Sequence, residues 1–296
     1  MMFRWPHWMR QVRHWLPGAS ALPEIPDALW HASVQEHAFL QQLSTSELQQ
    51  LRVLCAHFLK QKEFTGAHGL QITDAMAMAV AIQACVLLLH WGEPARALRW
   101  YDDFVGIVLY PGDARAHRTL RDDAGVVHHY TEDLMGEAME GGPVMLSWDA
   151  MVREERAAAS HTAWPHRSNV VIHEFAHKLD MANGGADGCP PLPAGFMGLH
   201  SAAEARQLWA HTWLQAYQHF CDAVAAHERF GQPPPWLDHY AATSPAEFFA
   251  VACEAYWVAP AAFNSAFPTL KPLLDALFQR PGRPADTDNK KAPEGA

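Results

Sequence analysis

The segment that most constrains this chain is His173-Glu174-Phe175-Ala176-His177, in which two histidines stand four residues apart and a glutamate follows the first. Positions i and i+4 share one face of an α-helix, so both imidazoles can bind a single metal ion. Glu174 then stands close enough to accept a proton from a zinc-activated water. If the segment is helical, it predicts a zinc hydrolase with Glu174 as general base.

The surrounding sequence favours a helix. The run 168–182 begins with residues that cap helices, ends just before Gly184 and Gly185, and contains no proline or glycine. Apolar residues flank both histidines, as expected of a helix packed in a core. The alternative interpretation is a buried helix with two hydrogen-bonded core histidines and an unrelated glutamate.

Composition limits the class of protein. The chain has 296 residues, is 49% hydrophobic and carries 12 tryptophans, which indicates an ordered globular protein. Its net charge of -10 disfavours direct binding to nucleic acid through a basic surface. The five cysteines are widely spaced without a CxxC, and no apolar run approaches the roughly 18 residues of a membrane span. These features favour a cytoplasmic protein with reduced thiols.

The chain divides into three parts. Residues 1–20 form a basic, tryptophan-rich arm that we expect to dock on the domain, although the same composition suits an anionic membrane surface. Residues 21–280 are predicted to form a single domain that begins with a helical layer. Residues 281–296 are polar and proline-rich, which predicts a disordered tail.

Hydrophobic periodicity predicts mainly helices. The predicted helices are 43–60, 73–90, 168–182, 201–229, 245–258 and 270–279. Strand-like runs at 104–110, 126–130 and 143–148 predict a small sheet directly before the histidine helix. The last run is our candidate for an open edge that pairs with an extended peptide, and an ordinary packed strand is the alternative.

Two histidines leave a catalytic zinc short of the three protein ligands that it normally has. The extended pattern HExxHxxGxxH is excluded, because Asp180 and Asn183 stand where it requires glycine and histidine. The third ligand is therefore expected to be a carboxylate from a later helix.

Glu247 and Glu254 are the main candidates for that carboxylate, since they lie seven residues apart on one face of an apolar helix. Asp238 and Asp222 are further candidates. Glu247 also has a structural interpretation, because Ser244 to Glu247 matches a capping box with proline at the first helical position. The residues alone leave the choice open.

Several segments together resemble the Mlc titration factor A family, the glucose-regulated metallopeptidases of bacteria. These segments are 59–67, 73–74, 82–85, 142–148, 173–180 and 240–249. Residues 1–20 and the tail after Pro281 lie outside the resemblance. The resemblance implies an α+β, mainly helical fold similar to zincins of the anthrax-lethal-factor type, with a small sheet before the HExxH helix.

The resemblance also implies roles for individual residues. His173, His177 and Glu247 would hold one catalytic Zn2+, with Glu174 as general base. Tyr240 would steady the oxyanion, although a tyrosine packed at a helix entrance is the structural alternative. With Glu247 as the third ligand, Glu254 would be a structural acid, and a salt bridge is its expected role.

Asp180 has two interpretations. Its carboxylate either anchors a ligand imidazole or forms a surface ion pair with a nearby lysine or arginine.

The predicted activity is zinc-dependent, aminopeptidase-like hydrolysis of peptide bonds, linked to regulation of sugar uptake through the repressor Mlc. The alternative is a binding protein that sequesters a transcriptional repressor, with peptidase activity secondary or triggered by the partner. A third interpretation is a zinc hydrolase that acts on a non-peptide amide.

Overall fold

The computed structural model describes residues 22–121, 127–159 and 168–279, and helices dominate them. The helices are α1 (Asp27–Glu36), α2 (Thr45–Gln61), α3 (Asp74–Val86), α4 (Pro94–Ala97), α5 (Trp148–Ala159), α6 (Val170–Asp180), α7 (Ala202–Phe230), α8 (Pro245–Val258), α9 (Pro260–Ala266) and α10 (Lys271–Leu277). No helix in these ranges combines the length and apolar character needed to cross a membrane. The predictions for residues 1–20 and 281–296 lie outside the described residues.

Six strands accompany the helices in the described part of the chain. They are β1 (Glu63–Gly66), β2 (Gly106–Tyr110), β3 (Ala114–Arg121), β4 (Val127–Leu134), β5 (Gly136–Ala138) and β6 (Val144–Ser147). β3 and β4 form an antiparallel hairpin, and the other four form one sheet in the order β1-β2-β6-β5. β1, β2 and β6 are parallel, whereas β5 is antiparallel to β6. The mainly helical α+β fold confirms the predicted fold class.

The prediction that 143–148 forms the open edge of the sheet is wrong. β6 lies between β2 and β5, so both of its sides are paired. The edge next to the histidine helix is β5, whose sequence Gly136-Glu137-Ala138 has neither apolar alternation nor β-branched residues. A three-residue strand of this composition gives no sequence signal of its own.

Local signals explain where the early helices begin. Ser44 caps α2, and Glu47 accepts a hydrogen bond from the Ser44 N–H in return, which completes the predicted capping box. Thr73 caps α3 through the Met76 N–H. α3 is buried on nearly every side from Met76 to Val86, as its apolar composition predicts.

α6 lies in the centre of the fold, in contact with α3, α8 and β5. Its Phe175 ring packs against Phe58, Tyr101 and Phe104, with ring centroids between 5.0 and 5.9 Å apart. This aromatic cluster fixes the rotation of α6 about its axis. The two histidines consequently lie on the side that meets α8.

Candidate metal centre

Three elements hold the N-terminus of α6. Its capping residue, Asn169, accepts the Ile172 N–H and donates its side-chain amide to Gln83 of α3 at 2.6 Å. Glu254 of α8 accepts the Asn169 backbone N–H at 2.5 Å. Glu154 of α5 accepts the Val170 N–H at 3.1 Å. A carboxylate such as that of Glu254 is favourable at this end of a helix because the free N–H groups there carry partial positive charge.

The side chains of His173, His177 and Glu247 converge between α6 and α8. His173 Nε2 lies 3.0 Å from Glu247 Oε2, and His177 Nε2 lies 3.2 Å from the same oxygen. The two Nε2 atoms are 3.2 Å apart. Within the part of the chain that the structure describes, these three residues are the group of histidine, cysteine and acidic side chains suited to holding a metal ion.

The capping-box explanation for Glu247 does not account for its carboxylate. Ser244 does cap α8 by accepting the Glu247 N–H at 3.2 Å. The Glu247 carboxylate, however, contacts the two histidines, whereas in α2 the Glu47 carboxylate returns to Ser44. The side chain of Glu247 therefore faces the cluster.

Glu254, the rival third ligand, contacts the opposite side of the same imidazole. Its Oε1 lies 2.6 Å from His173 Nδ1 and its other oxygen holds Asn169. The salt bridge expected of Glu254 is therefore formed with His173. Asp222 is exposed on α7 beside Gln218, and Asp238 caps the turn that carries Tyr240, so neither belongs to the cluster.

Glu174 is buried against the edge strand, with 4% of its surface exposed. The backbone amide of Ala138 stabilises the ionised form of its carboxylate and so lowers its pKa. A Cβ added at Gly136 would stand 2.5 Å from Glu174 Oε1, so only glycine leaves room for the carboxylate there. β5 therefore fixes the position of Glu174.

Burial and the neighbouring charges shape the acidities of the cluster. Burial alone would raise the pKa of Glu247, but hydrogen bonds from His173 and His177 outweigh it and hold that pKa well below its usual range. Burial likewise opposes protonation of His173, yet its contacts with Glu247 and Glu254 raise its pKa. Burial raises the pKa of Glu174 above its usual value.

Tyr240 lies beside the cluster on the 3-10 turn His239–Ala242. Its ring centroid is 6.1 Å from that of His173, and 45% of the residue is exposed. Asp238 caps the turn by accepting the Tyr240 N–H at 2.8 Å. The Tyr240 ring therefore lies next to the imidazole of His173 and is partly open to solvent.

Asp180 is fully buried, which excludes the surface ion pair. Its Oδ2 accepts the Gly188 N–H at 2.8 Å, and burial raises its pKa to about 6. Its Oδ1 and His177 Nδ1 are both buried without a hydrogen-bond partner among the described residues. The structure thus shows Asp180 holding the loop after α6, and a bond to the imidazole is not formed.

Two residues that support the site were missed in the sequence. Lys178 is buried on the face of α6 that also carries Val171 and Phe175. A lysine at i+3 from Phe175 on an apolar stripe was a usable signal, because a buried lysine needs partners. Gly188 has a positive φ and packs against Pro245. Nothing in the sequence of its loop distinguishes it from the neighbouring glycines.

An α+β fold with a His-His-Glu cluster between two packed helices is typical of the metallopeptidases, and the family match places the chain in that class. Within that class, the chain belongs to the glucose-regulated metallo-peptidase M90 family, whose model matches residues 7–279. The match corrects one expectation, because residues 7–20 were placed outside the family resemblance.

Curated relatives support the same family. The chain is 31% identical over 270 residues to Mlc titration factor A of Klebsiella pneumoniae (strain 342), covering 91% of this chain and 88% of the relative. It is 32% identical to Mlc titration factor A of Serratia proteamaculans (strain 568), with 91% and 89% coverage. The corresponding protein of Cronobacter sakazakii (strain ATCC BAA-894) is 30% identical, with 91% and 88% coverage. The resemblance to the Mlc titration factor A family is confirmed.

Proposed function

We propose that this protein is a zinc-dependent peptidase in which His173, His177 and Glu247 hold one catalytic Zn2+ and Glu174 is the general base. The observation that carries the proposal is the convergence of three ligand atoms within 3.2 Å of one another. A buried glutamate stands beside them.

The donor set fits zinc. Two imidazole nitrogens and one carboxylate oxygen are the ligands of many catalytic zinc sites. Tetrahedral bonds of about 2.0–2.1 Å place neighbouring ligand atoms about 3.3 Å apart. The separations of 3.0 to 3.2 Å between the three atoms agree with this value.

The protein's own residues carry the proton transfers. A bound zinc ion supplies Lewis-acid chemistry, since it makes a water molecule more acidic and polarises a carbonyl group. Glu174 accepts the proton from the attacking water and returns it to the leaving amine.

Tyr240 stabilises the oxyanion in this proposal. Its turn places the ring beside His173, and its exposed position leaves it accessible to substrate. A hydroxyl that donates to a developing oxyanion contributes about 3 kcal/mol in comparable sites.

The edge strand supports a peptide as the substrate. The Ser147 N–H donates to Met135 O and the Met139 N–H donates to Pro143 O, so alternate residues of this strand bond to β6. Gly136 and Ala138 therefore turn their backbone groups to the other side, towards Glu174. An extended peptide can pair with that side and present a bond to Glu174. The family resemblance is what supports aminopeptidase-like selectivity.

Three proteins test the mechanism: wild type, Glu174→Gln and His173→Ala. We expect Glu174→Gln to retain stoichiometric zinc and lose peptide cleavage, and His173→Ala to lose both. Zinc is measured by atomic absorption and cleavage with a peptide library read by mass spectrometry. Full peptidase activity in Glu174→Gln would disprove the assigned base.

A second candidate function is the sequestration of a transcriptional repressor of the Mlc type in the cytoplasm, which would link the protein to sugar uptake. The name Mlc titration factor A, carried by the relatives, favours it. Pull-down of a purified repressor of this type with wild type and with a His173→Ala/His177→Ala variant separates the two functions. A titration role persists without zinc, whereas recognition as a substrate of the metal centre does not.

A further inference from the structure

Lys178 follows the second histidine of the motif, and its side chain is completely buried. Its Nζ donates to Asp103 Oδ2 at 2.7 Å, to Met139 O at 2.6 Å and to Gly142 O at 3.0 Å. It also lies 4.6 Å from the centre of the Phe104 ring. Three acceptors match the three N–H groups of an ammonium, so the buried charge is satisfied.

Two of those acceptors belong to the turn that joins β5 to β6. Met139 directly follows β5, and Gly142 closes the turn by donating its N–H to Met139 O at 3.0 Å. α6 thus holds this turn by a side chain from its own core-facing surface.

Glu174 and Lys178 lie four residues apart and therefore on the same side of α6. Glu174 packs against Gly136 of β5, where an added Cβ would stand 2.5 Å from its Oε1, and Lys178 donates to the carbonyl of Met139, directly after β5. Two side chains of α6 therefore contact β5 and the residue that follows it. Movement of the turn would move the strand against which the Glu174 carboxylate packs.

We propose that Lys178 is a positioning residue of the peptidase, acting through β5. By holding the turn 139–142, it keeps β5 packed against the Glu174 carboxylate and beside the metal centre. This inference rests on the proposed function, because it assigns Lys178 a role in the step that Glu174 carries out.

Lys62 provides a matched control. Its Nζ is also buried, lies 3.9 Å from the same Phe104 ring and donates to two backbone carbonyls. Those carbonyls belong to Tyr101 and Phe104, outside the β5–β6 turn. Loss of Lys62 therefore removes a similar buried lysine whose acceptors lie outside β5 and the turn 139–142.

The experiment compares the zinc-loaded full chain with Lys178→Met and Lys62→Met. We expect Lys178→Met to retain zinc, to exchange backbone hydrogens faster across 136–142, and to lose about 10- to 100-fold in kcat, the range expected for small misplacement of a catalytic group. KM for a short peptide should change little. Lys62→Met should melt earlier but keep wild-type exchange at 136–142 and wild-type kcat below its melting temperature.

A second pair of variants covers the case in which Lys178→Met does not fold. A Cβ at Gly142 would stand 2.8 Å from Met139 Cβ and displace the turn, whereas a Cβ at Gly112 meets nothing within 4 Å. Gly142→Ala should reproduce faster exchange at 136–142 and the lower kcat, and Gly112→Ala should not.

Unchanged exchange or unchanged kcat in both Lys178→Met and Gly142→Ala would overturn the inference, and so would an equal kcat loss in Lys62→Met. Failure of the proposed function looks different, because wild type with bound zinc would then cleave no peptide. In that case the positioning role in catalysis falls, and hydrogen exchange alone decides whether Lys178 anchors β5.

Discussion

Glu247 and Glu254 both reach His173 from α8, but they contact opposite nitrogens of its ring. Glu254 lies at Nδ1 and Glu247 at the Nε2 side, where His177 also converges. A carboxylate on Nδ1 fixes the tautomer and the ring orientation, which leaves Nε2 free to bind a metal. The two glutamates thus have separate tasks at one imidazole.

This separation predicts different effects on zinc binding. Glu247→Ala should lose stoichiometric zinc, because it removes a ligand. Glu254→Gln should keep zinc but bind it about 10- to 100-fold more weakly, as is typical when a residue that orients a ligand is changed. Competition with a chelating dye measures both. Stoichiometric zinc in Glu247→Ala, beside its loss in Glu254→Ala, would show that Glu254 is the ligand.

Tyr240→Phe tests the oxyanion contact at a single atom. The ring remains, so packing against His173 is preserved and only the hydroxyl is lost. We expect kcat to fall about 100-fold, the equivalent of about 3 kcal/mol, with zinc content unchanged. Tyr110 is a suitable control because its hydroxyl faces Met145 Sδ on the sheet. Tyr110→Phe should keep wild-type kcat. A kcat loss of less than about threefold in Tyr240→Phe would leave the tyrosine with a packing role.

At the scale of elements, the helices of the site were predictable because each carries its own signals. The helix 245–258 was predicted with the bounds that α8 has, since Ser244 and Pro245 mark its start. α6 is the centre of the predicted run 168–182 and is capped by Asn169. Both helices have strong apolar patterns that end in identifiable residues.

The sheet was less predictable because strand order depends on partners distant in the sequence. β1 and β2 are parallel neighbours in the sheet, although α3 and α4 separate them along the chain. No local pattern in Glu63–Gly66 predicts that pairing. The same holds for contacts between elements. Asp180 was noted in the sequence, but its bond to Gly188 depends on how the loop after α6 folds back.

Gly188 is a junction of three elements. Its N–H donates to Asp180, its carbonyl accepts from Trp209 Nε1 at 2.8 Å, and a Cβ there would stand 2.5 Å from Pro245 O at the start of α8. Its φ is +80°, a conformation that costs other residues about 1–2 kcal/mol. The glycine lets the loop pack directly under the helix that carries Glu247.

Gly188→Ala should therefore lower the melting temperature by several degrees and weaken zinc binding, since it displaces the N-terminus of α8. Gly185→Ala in the same loop meets nothing within 4 Å and should change neither property. Thermal unfolding with and without zinc measures both effects. Equal behaviour of the two variants would show that the contact with Pro245 does not position α8.

Glu154, at the junction of α5 and α6, makes the stability of the fold depend on pH. Burial, reinforced by the charge of Glu254, raises the pKa of Glu154 from 4.5 to about 8. The native state therefore retains a proton that the unfolded state releases above about pH 4.5. The stability that this proton contributes is present below that pH and is lost as pH rises towards 8.

Glu154→Gln should become more stable relative to wild type as pH rises from 5 to 8. The amide oxygen still accepts the Val170 N–H, and the side chain no longer ionises. Urea unfolding at several pH values measures the difference in unfolding free energy, and Glu228→Gln on the exposed part of α7 controls for the loss of one negative charge. A difference that stays constant across this range would contradict the raised pKa.

At the scale of the whole molecule, the metal centre joins parts of the chain that are far apart in sequence. His173 and His177 come from α6 and Glu247 from α8, with the 29 residues of α7 in between. The two imidazoles and the carboxylate converge to within 3.2 Å of one another across this separation. A bound ion would act as a crosslink between the two central helices.

Removal of the metal should therefore destabilise the entire fold, because zinc binds the assembled site and not the separated ligands. At a free zinc concentration 1,000-fold above Kd, binding contributes about 4 kcal/mol. For a domain of this size that corresponds to about 8–16 °C in Tm. Scanning calorimetry of the chelator-treated protein, with zinc added back in steps, should show Tm rising with zinc concentration. The His173→Ala/His177→Ala variant should show a Tm that zinc does not change, and a similar rise in that variant would place the stabilising ion elsewhere.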